Sequence, residues 1–365
     1  MSKILMHRNT PVAEIKIIDN IPICYEDVFC EAELPKGTKN TNKITEQLLL
    51  KAWYESRSIP KERPNLSTLI SKLGVNRAEA FIKSSGVSLT DTYWIKEKED
   101  VILWEDINYY DNGFSEVLKD LYCFQKGTFK PSPDFTTGGV MEKFWMSVFQ
   151  EPYLLKMDKN NSVFSANEVV YFKIAESIGI QTTPYFYGNL LNIPVCICPS
   201  FVPDSKTDFV TALQEKHANF RNTGELFLKH FFKLGFEKEI KEMITLDCLL
   251  HNTDRHEKNF GYLLFSNGEK RFAPLFDNGR CLGADRLPNS SILEDPLKPF
   301  NKDRDYLIKN YGVSIDAEES FWIDIIKSTY EDFQVPEYQY EIAKEELKYG
   351  LSFSSQIEKL FFYEK

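Results

Sequence analysis

The 365-residue chain has no run approaching the roughly 18 apolar residues that a membrane span requires. Its clearest apolar stretch, Leu190 to Cys198, is short and broken by Asn192 and Pro194. There is no basic excess either. Lys+Arg number 44 against 54 Asp+Glu, a net charge of −10 at pH 7, so no global positive field draws the chain to phosphate backbones or anionic lipid. Cysteine is sparse, odd in number and unevenly spaced: Cys24, Cys30, Cys123, Cys196, Cys198, Cys248 and Cys281. The N-terminus, MSKILMHRNT, carries neither an apolar signal core nor a small-residue cleavage site, so a reduced, cytoplasmic chain without a disulfide framework is expected. No repeat period or low-complexity tract stands out, which sets solenoids and arrays aside. What is present is ordinary globular composition, 42% hydrophobic and 27% charged, with an aromatic share of 14%. At roughly 150 residues per domain the length suggests two domains.

Three regions differ in pattern. Residues 1–125 form an N-terminal accessory region: Val12 to Ile18 alternates as a strand, Ile44 to Arg57 reads as a helix, and Leu66 to Ile82 reads as two short helices hinged at Gly74. The pair resembles a helix-turn-helix. So few basic residues lie there that direct nucleic-acid reading is not expected, and a docking or substrate-selecting role fits better. Lys126 to Pro133 reads as a linker. In 126–206 strand patterns cluster at Lys143 to Phe149, Tyr153 to Met157 and Val195 to Phe201, interrupted by a helix over Ala166 to Ile178. In 207–365 helices dominate, clearest at Leu226 to Leu234 and Glu237 to Leu250, followed by a strand pair at Gly261 to Phe265 and Arg271 to Leu275. A sheet-rich part followed by a helical part is an α+β, two-lobed plan.

The chemistry concentrates in the segment from Leu250 to Gly261. Asp254 and Asn259 stand five positions apart, the spacing by which a catalytic loop offers one carboxylate to a nucleophilic hydroxyl and one amide oxygen to Mg²⁺. Downstream, Phe272 to Asp277 reads as a strand ending in an acidic residue with Gly279 two positions on, and an Asp so placed can bind a hard cation. Tyr153 to Met157 puts Lys156 in an apolar strand, where an unpaired ammonium would be costly to bury. Glu168, in the first turns of the next helix, offers the partner. Before both, Thr136-Thr137-Gly138-Gly139 is a glycine-containing turn able to bring backbone N–H groups to phosphate. Turn, Lys, Glu, Asp-x4-Asn and Asp follow in the serial order that a kinase-like site requires.

These motifs, together with Asn167-Glu168, the Asn252-Thr253-Asp254 block and Phe276-Asp277, resemble the HipA-like serine/threonine kinases of bacteria over about residues 130–320. The resemblance implies a bilobal protein-kinase-like fold and ATP with Mg²⁺ as cofactors. It implies Asp254 as base, Asn259 and Asp277 as metal ligands and Lys156 as phosphate anchor. It further implies a protein substrate with a Ser/Thr acceptor, an antitoxin-like partner, and autophosphorylation in the phosphate-binding turn, where Thr136 and Thr137 are the available hydroxyls and Ser132 lies near. Unlike ordinary protein kinases, the chain has no longer Gly-rich loop, no His-Arg before the catalytic Asp and no Ala-Pro-Glu segment.

Two other readings stay open. Asp254-Arg255-His256-x-x-Asn259 also resembles the catalytic loop of phosphoinositide kinases, although no polybasic stretch supports work at a membrane surface. A nucleotide-binding pseudokinase or interaction protein is the non-catalytic alternative. His251 and His256 match no zinc spacing and read as structural. Arg255 reads equally as a phosphate contact or a support of its own loop. Cys196 and Cys198 alternate on a strand and read as core.

Overall fold

A computed structural model of the chain describes residues 2–57, 77–114, 132–136, 141–158, 161–219, 224–293, 297–298, 300–315 and 317–362. It is mixed, with sheet-rich and helical parts, in line with the α+β composition read from the sequence. Two compact units divide the chain: Met1–Leu155 with Pro199–Asn219 and Leu263–Lys270, and Lys156–Cys198 with Phe220–Tyr262 and Arg271–Lys365.

The first unit opens with a sheet of four strands, β1 (Ser2–His7), β2 (Thr10–Ile18), β3 (Ile21–Val28) and β4 (Tyr93–Lys96), in the order β3-β2-β1-β4. The β1-β2, β2-β3 and β1-β4 pairs are antiparallel, with Leu5 opposite Ala13 and Ile95, and Ile15 opposite Tyr25. Asp19 and Asn20 both take positive φ in the β2–β3 turn, the geometry that matches the right-handed strand twist. Val12, Ala13, Ile15 and Ile17 of β2 are buried under helix α1 (Lys43–Glu55), which contributes Leu50, Trp53 and Tyr54 to the same core. Asn42 caps α1 by accepting from the N–H groups of Ile44 and Thr45 at 3.0 and 3.1 Å. Helices α2 (Arg77–Lys83) and α3 (Tyr109–Asn112) complete this region.

The sequence signalled only β2 of these strands. Strand β3 carries Pro22 and the acidic pair Glu26-Asp27, which obscure its pattern. It is an edge strand, where a missing N–H donor is tolerated. Most of the Leu66 to Ile82 pattern lies outside the described residues, as does most of the Lys126 to Pro133 segment. Beyond it come β5 (Glu142–Val148) and β6 (Glu151–Met157), hydrogen-bonded neighbours in the first unit up to Leu155.

In the second unit, β6 ends at Lys156 and Met157 and leads to α4 (Val163–Ser177), whose first turns and core-facing positions are buried from Val163 to Ala175. Strands β7 (Phe186–Leu190) and β8 (Ile193–Pro199) form an antiparallel hairpin over Phe186 to Ile197. In the first unit, β9 (Asp208–Thr211) leads into α5 (Ala212–Asn219). The second unit continues with α6 (Glu225–Lys233) and α7 (Glu237–Leu249); along the chain β10 (Gly261–Leu264) and β11 (Lys270–Phe272) come next, and the stretch Leu263–Lys270 belongs to the first unit. Three helices follow: α8 (Arg304–Tyr311), α9 (Glu319–Asp332) and α10 (Glu337–Phe362). Helix α4 packs on α9, and α7 packs on α6, α8 and α10.

Strand β11 is shorter than the pattern over Arg271 to Leu275 suggests. Pro274 cannot donate to a ladder: the last bond to β10 runs from the Ala273 N–H to the Gly261 carbonyl at 3.0 Å, and past the proline Thr182 is met in a parallel bridge by Leu275. Its carbonyl accepts from Thr183 N–H at 2.8 Å. Asp277 therefore does not end a regular strand. It lies two residues past an isolated bridge, with φ of 57°.

Candidate active site

Lys156, near the end of β6, is buried with 2% of its surface exposed, and Glu168, on the inward face of α4, is wholly buried. Leu155 and Met157, its neighbours in β6, are buried as well, and alternation along the strand turns them to the face opposite Lys156. Its ammonium donates to Glu168, to the hydroxyl of Tyr185 at 3.2 Å and to Oδ1 of Asp277 at 2.8 Å. The Tyr185 ring lies beneath it, 5.0 Å from Nζ to centroid. Burial works against the ammonium, but the Asp277 and Glu168 charges overcome it and hold Lys156 well above the ordinary lysine range. Burial pushes Glu168 upward, and the Asp277 charge adds to this, while Lys156 and a backbone N–H pull the other way.

That backbone N–H belongs to Asn278 and reaches Glu168 Oε2 at 2.8 Å. The preceding N–H, of Asp277, donates to the Tyr185 hydroxyl at 3.2 Å. Two successive peptides are thus fixed by α4 and by Tyr185. Gly279 follows because the chain passes hard against the start of α4: a Cβ there would stand 2.7 Å from the Phe164 carbonyl oxygen. Asn167, beside Glu168 on α4, holds the same segment by donating to the carbonyls of Gly279 at 3.3 Å and Cys281 at 2.6 Å. Cys196 and Cys198 of β8 are buried as expected. Burial pushes the Cys198 thiol up to about 12.

The 252–259 loop is organised from beneath by Arg255, which is fully buried. Its Nε and Nη2 donate to the two carboxylate oxygens of Asp247 on α7 at 2.8 and 3.1 Å. Nη1 donates to two carbonyls, Asn259 at 2.8 Å and Phe276 at 2.9 Å, and Nη2 also reaches the Asn278 side chain. One guanidinium therefore draws the loop end that carries Asn259 against the segment that carries Asp277. Burial alone would lower its pKa, but Asp247 beside it raises it. Asp247 accepts further from Tyr171 and Asn252, each at 2.8 Å, and Arg304 donates to the carbonyls of Asp247 and Asn252, each at 3.0 Å.

Asn252 in turn accepts from the Asp254 N–H at 3.1 Å, fixing the loop turn. The Asp254 side chain is half-buried, and no described residue pairs with its carboxylate. Asn259 spends its amide N–H on the Asp254 carbonyl at 3.1 Å, and its amide oxygen accepts no hydrogen bond from the described residues.

The structure thus gathers Lys156, Glu168 and Asp277 into one contact cluster and ties it to the Asp254–Asn259 loop through Arg255, which supports its loop. Thr136 ends a short 3-10 helix, Pro133–Thr136, whereas Thr137, Gly138 and Gly139 lie outside the described residues. Ser132 is buried, its hydroxyl accepting from Asp134 N–H at 3.3 Å. His251 is structural: it is buried, with Nδ1 on the carboxylate of Glu346 in α10. His256 accepts from Lys258 N–H at 3.2 Å. Tyr185, Asp247 and Asn278 carry no sequence signal, because a Tyr before a strand and an Asp inside a helix read as ordinary core and surface.

Residues 135–281 match the family model of the HipA-like C-terminal domain. A curated relative, the serine/threonine-protein kinase CtkA of Helicobacter pylori, is 31% identical over 143 residues. The match covers 35% of this chain and 42% of the relative, so the chain spans less than half of the curated protein it matches. Among solved structures, the Helicobacter pylori proinflammatory kinase CtkA aligns at a TM-score of 0.43 and 21% identity, over 60% of this chain and 94% of that one. Shewanella oneidensis HipA, in a toxin–antitoxin complex with HipB and operator DNA, aligns at 0.49 and 13% identity, over 98% and 97%. The motifs and the family model therefore agree, and residues 135–281 of this chain are similar to the C-terminal domain of HipA-like proteins.

Proposed function

We propose that the chain is an ATP-dependent serine/threonine protein kinase. The observation that carries this reading is the buried ammonium of Lys156 between Glu168 and Asp277, with Arg255 bracing the Asp277 segment against the Asp254–Asn259 loop. A buried cation held by two carboxylates at the end of a strand is suited to the oxygens of a nucleotide phosphate.

In this scheme Lys156 binds phosphate oxygens and Glu168 keeps its side chain extended. Asp254, half-buried and without a cationic partner among the described residues, orients the acceptor hydroxyl and takes its proton as the oxygen bonds to the γ-phosphorus and the bond from that phosphorus to the β,γ-bridging oxygen breaks, releasing ADP. The amide oxygen of Asn259, unengaged among the described residues, and the carboxylate of Asp277 form a hard, all-oxygen donor pair that fits Mg²⁺. When bound, Mg²⁺ would supply charge neutralisation on the phosphates. The chain's own contribution is chiefly positioning: the Arg255 and Asn278 bonds keep the two halves of the site in register. The Thr136–Gly139 turn is proposed to bind phosphate through its backbone, with Thr136 and Thr137 as autophosphorylation sites. A protein substrate with a Ser/Thr acceptor and an antitoxin-like partner are parts of the same proposal.

The test is incubation of the full chain with γ-labelled ATP and Mg²⁺, offered a protein mixture in one arm and anionic lipid vesicles in another, followed by mass spectrometry. Label on Ser or Thr of protein is expected, abolished by Asp254→Ala and by Asp277→Ala while circular dichroism is unchanged. Label on lipid alone would make this a phosphoinositide-type kinase. Nucleotide binding without any transfer would make it a pseudokinase.

A further inference from the structure

An ammonium has three N–H bonds, and those of Lys156 all meet acceptors: Glu168, Tyr185 and Asp277. A phosphate oxygen can reach the ammonium only by replacing one of the three. Glu168 is wholly buried and is further bound by the Asn278 N–H, so it stays. Tyr185 is 2% exposed and its hydroxyl oxygen accepts from both Lys156 and the Asp277 N–H, so it stays too. Asp277 differs: its side chain is 37% exposed while its backbone N–H is held, and its φ of 57° fixes the direction in which Cβ leaves the chain.

We infer that Tyr185 is a positioning residue that pins the Asp277 backbone as a fixed pivot, while the Asp277 carboxylate leaves Lys156 for the cation that arrives with the nucleotide. The inference rests on the kinase reading and deepens it by assigning a role to a residue outside the expected set. Lys156 exchanges one anionic oxygen for another, and the peptide carrying Asp277 does not move. Without the hydroxyl, the Asp277 peptide loses its acceptor, and the carboxylate is no longer delivered to one place.

The test measures binding of a non-hydrolysable ATP analogue to the full chain by calorimetry across a Mg²⁺ titration, for wild type and Tyr185→Phe. In the variant the Mg²⁺ concentration giving half-maximal nucleotide binding is expected to rise by about fivefold to tenfold, the equivalent of one lost hydrogen bond. Affinity without Mg²⁺ should stay close to wild type. A merely structural role would lower the folded fraction without moving the Mg²⁺ midpoint. Identical Mg²⁺ dependence in the two proteins overturns the pivot alone. Absence of nucleotide binding by wild type at every Mg²⁺ concentration overturns the kinase reading and the pivot with it. Should Tyr185→Phe fail to fold, hydrogen exchange of the wild-type Asp277 amide decides: slow exchange with and without Mg²⁺ and nucleotide is expected, and acceleration on their addition overturns the pivot.

Discussion

Arg255 and Asp247 form an ion pair from which water is excluded on both sides: neither side chain has exposed surface, and two N–H bonds meet two carboxylate oxygens at 2.8 and 3.1 Å. The pair joins α7 to the loop that carries Asp254 and Asn259, and through the Asn259 and Phe276 carbonyls it reaches the Asp277 segment.

Removing one partner of such a pair leaves the other charge buried. Arg255→Ala is expected to cost about 3–5 kcal/mol of stability. Arg255→Lys should recover only part of that, because an ammonium cannot span Asp247, Asn259, Phe276 and Asn278 at once. Urea unfolding monitored by tryptophan fluorescence measures both, and a near-neutral Arg255→Lys would contradict the bracing role.

Glu168→Gln keeps the shape of the side chain and the acceptor for Asn278 N–H but removes the charge facing Lys156. A displaced lysine is expected to lower the rate of labelled phosphate transfer by roughly 10²-fold. The melting temperature should fall, though less than for Arg255→Ala, because Asp277 still faces the buried ammonium. Transfer at the wild-type rate would show that Glu168 does not set the lysine.

The first unit contains a pH-sensitive contact. His7 is buried, with Nε2 2.9 Å from Asp208 Oδ2 and Nδ1 on Glu33, while Asp208 also accepts from Thr92 N–H at 2.7 Å. Burial alone would lower His7, but Asp208 raises it above 6.5. Burial would raise Asp208, but His7 and Thr92 hold it below 3.8. A raised His7 stabilises fully below pH 6.5 and loses that contribution as pH climbs through the folded value. A lowered Asp208 stabilises fully above pH 3.8 and loses it as pH falls through its folded value. His7→Gln should therefore cost most, about 1.5–3 kcal/mol, between those two limits. The deficit should shrink above neutrality; one that stays flat from pH 5 to 9 would rule out the linkage.

A Cβ at position 350 would stand 1.9 Å from the Leu249 carbonyl oxygen, so α10 lies against the end of α7 only because that residue is glycine. Gly350→Ala raises helix propensity yet is expected to destabilise by about 1–3 kcal/mol, since α10 must shift outward. A stabilised variant in denaturant unfolding would contradict this packing.

Much of the site was legible because its chemistry lies in short local strings. Asp254 and Asn259 share one loop, Lys156 stands out in an apolar strand, and Glu168 follows at the head of the next helix. What stayed hidden is what depends on distant pairing. Arg255 finds its partners at 247, 276 and 278, and nothing in Asp254-Arg255-His256 distinguishes a brace from a phosphate ligand. Tyr185 reads as core until its hydroxyl is placed between Lys156 and the Asp277 N–H. The strand expected up to Asp277 stops early because Pro274 interrupts its ladder. In the first unit, β3 was masked by a proline that only an edge position tolerates.

Burial also silences the thiols of the second unit, two of which, Cys196 and Cys198, feel the charge of Lys156. Desolvation lifts Cys196, Cys198, Cys248 and Cys281 far from the thiolate range, so electrophiles and oxidants find no nucleophile there at neutral pH. Among the described cysteines, Cys24 and Cys30, both half-buried in the first unit, are the ones left for a maleimide. A dye placed on either would report on that unit while the surroundings of the lysine remain chemically untouched.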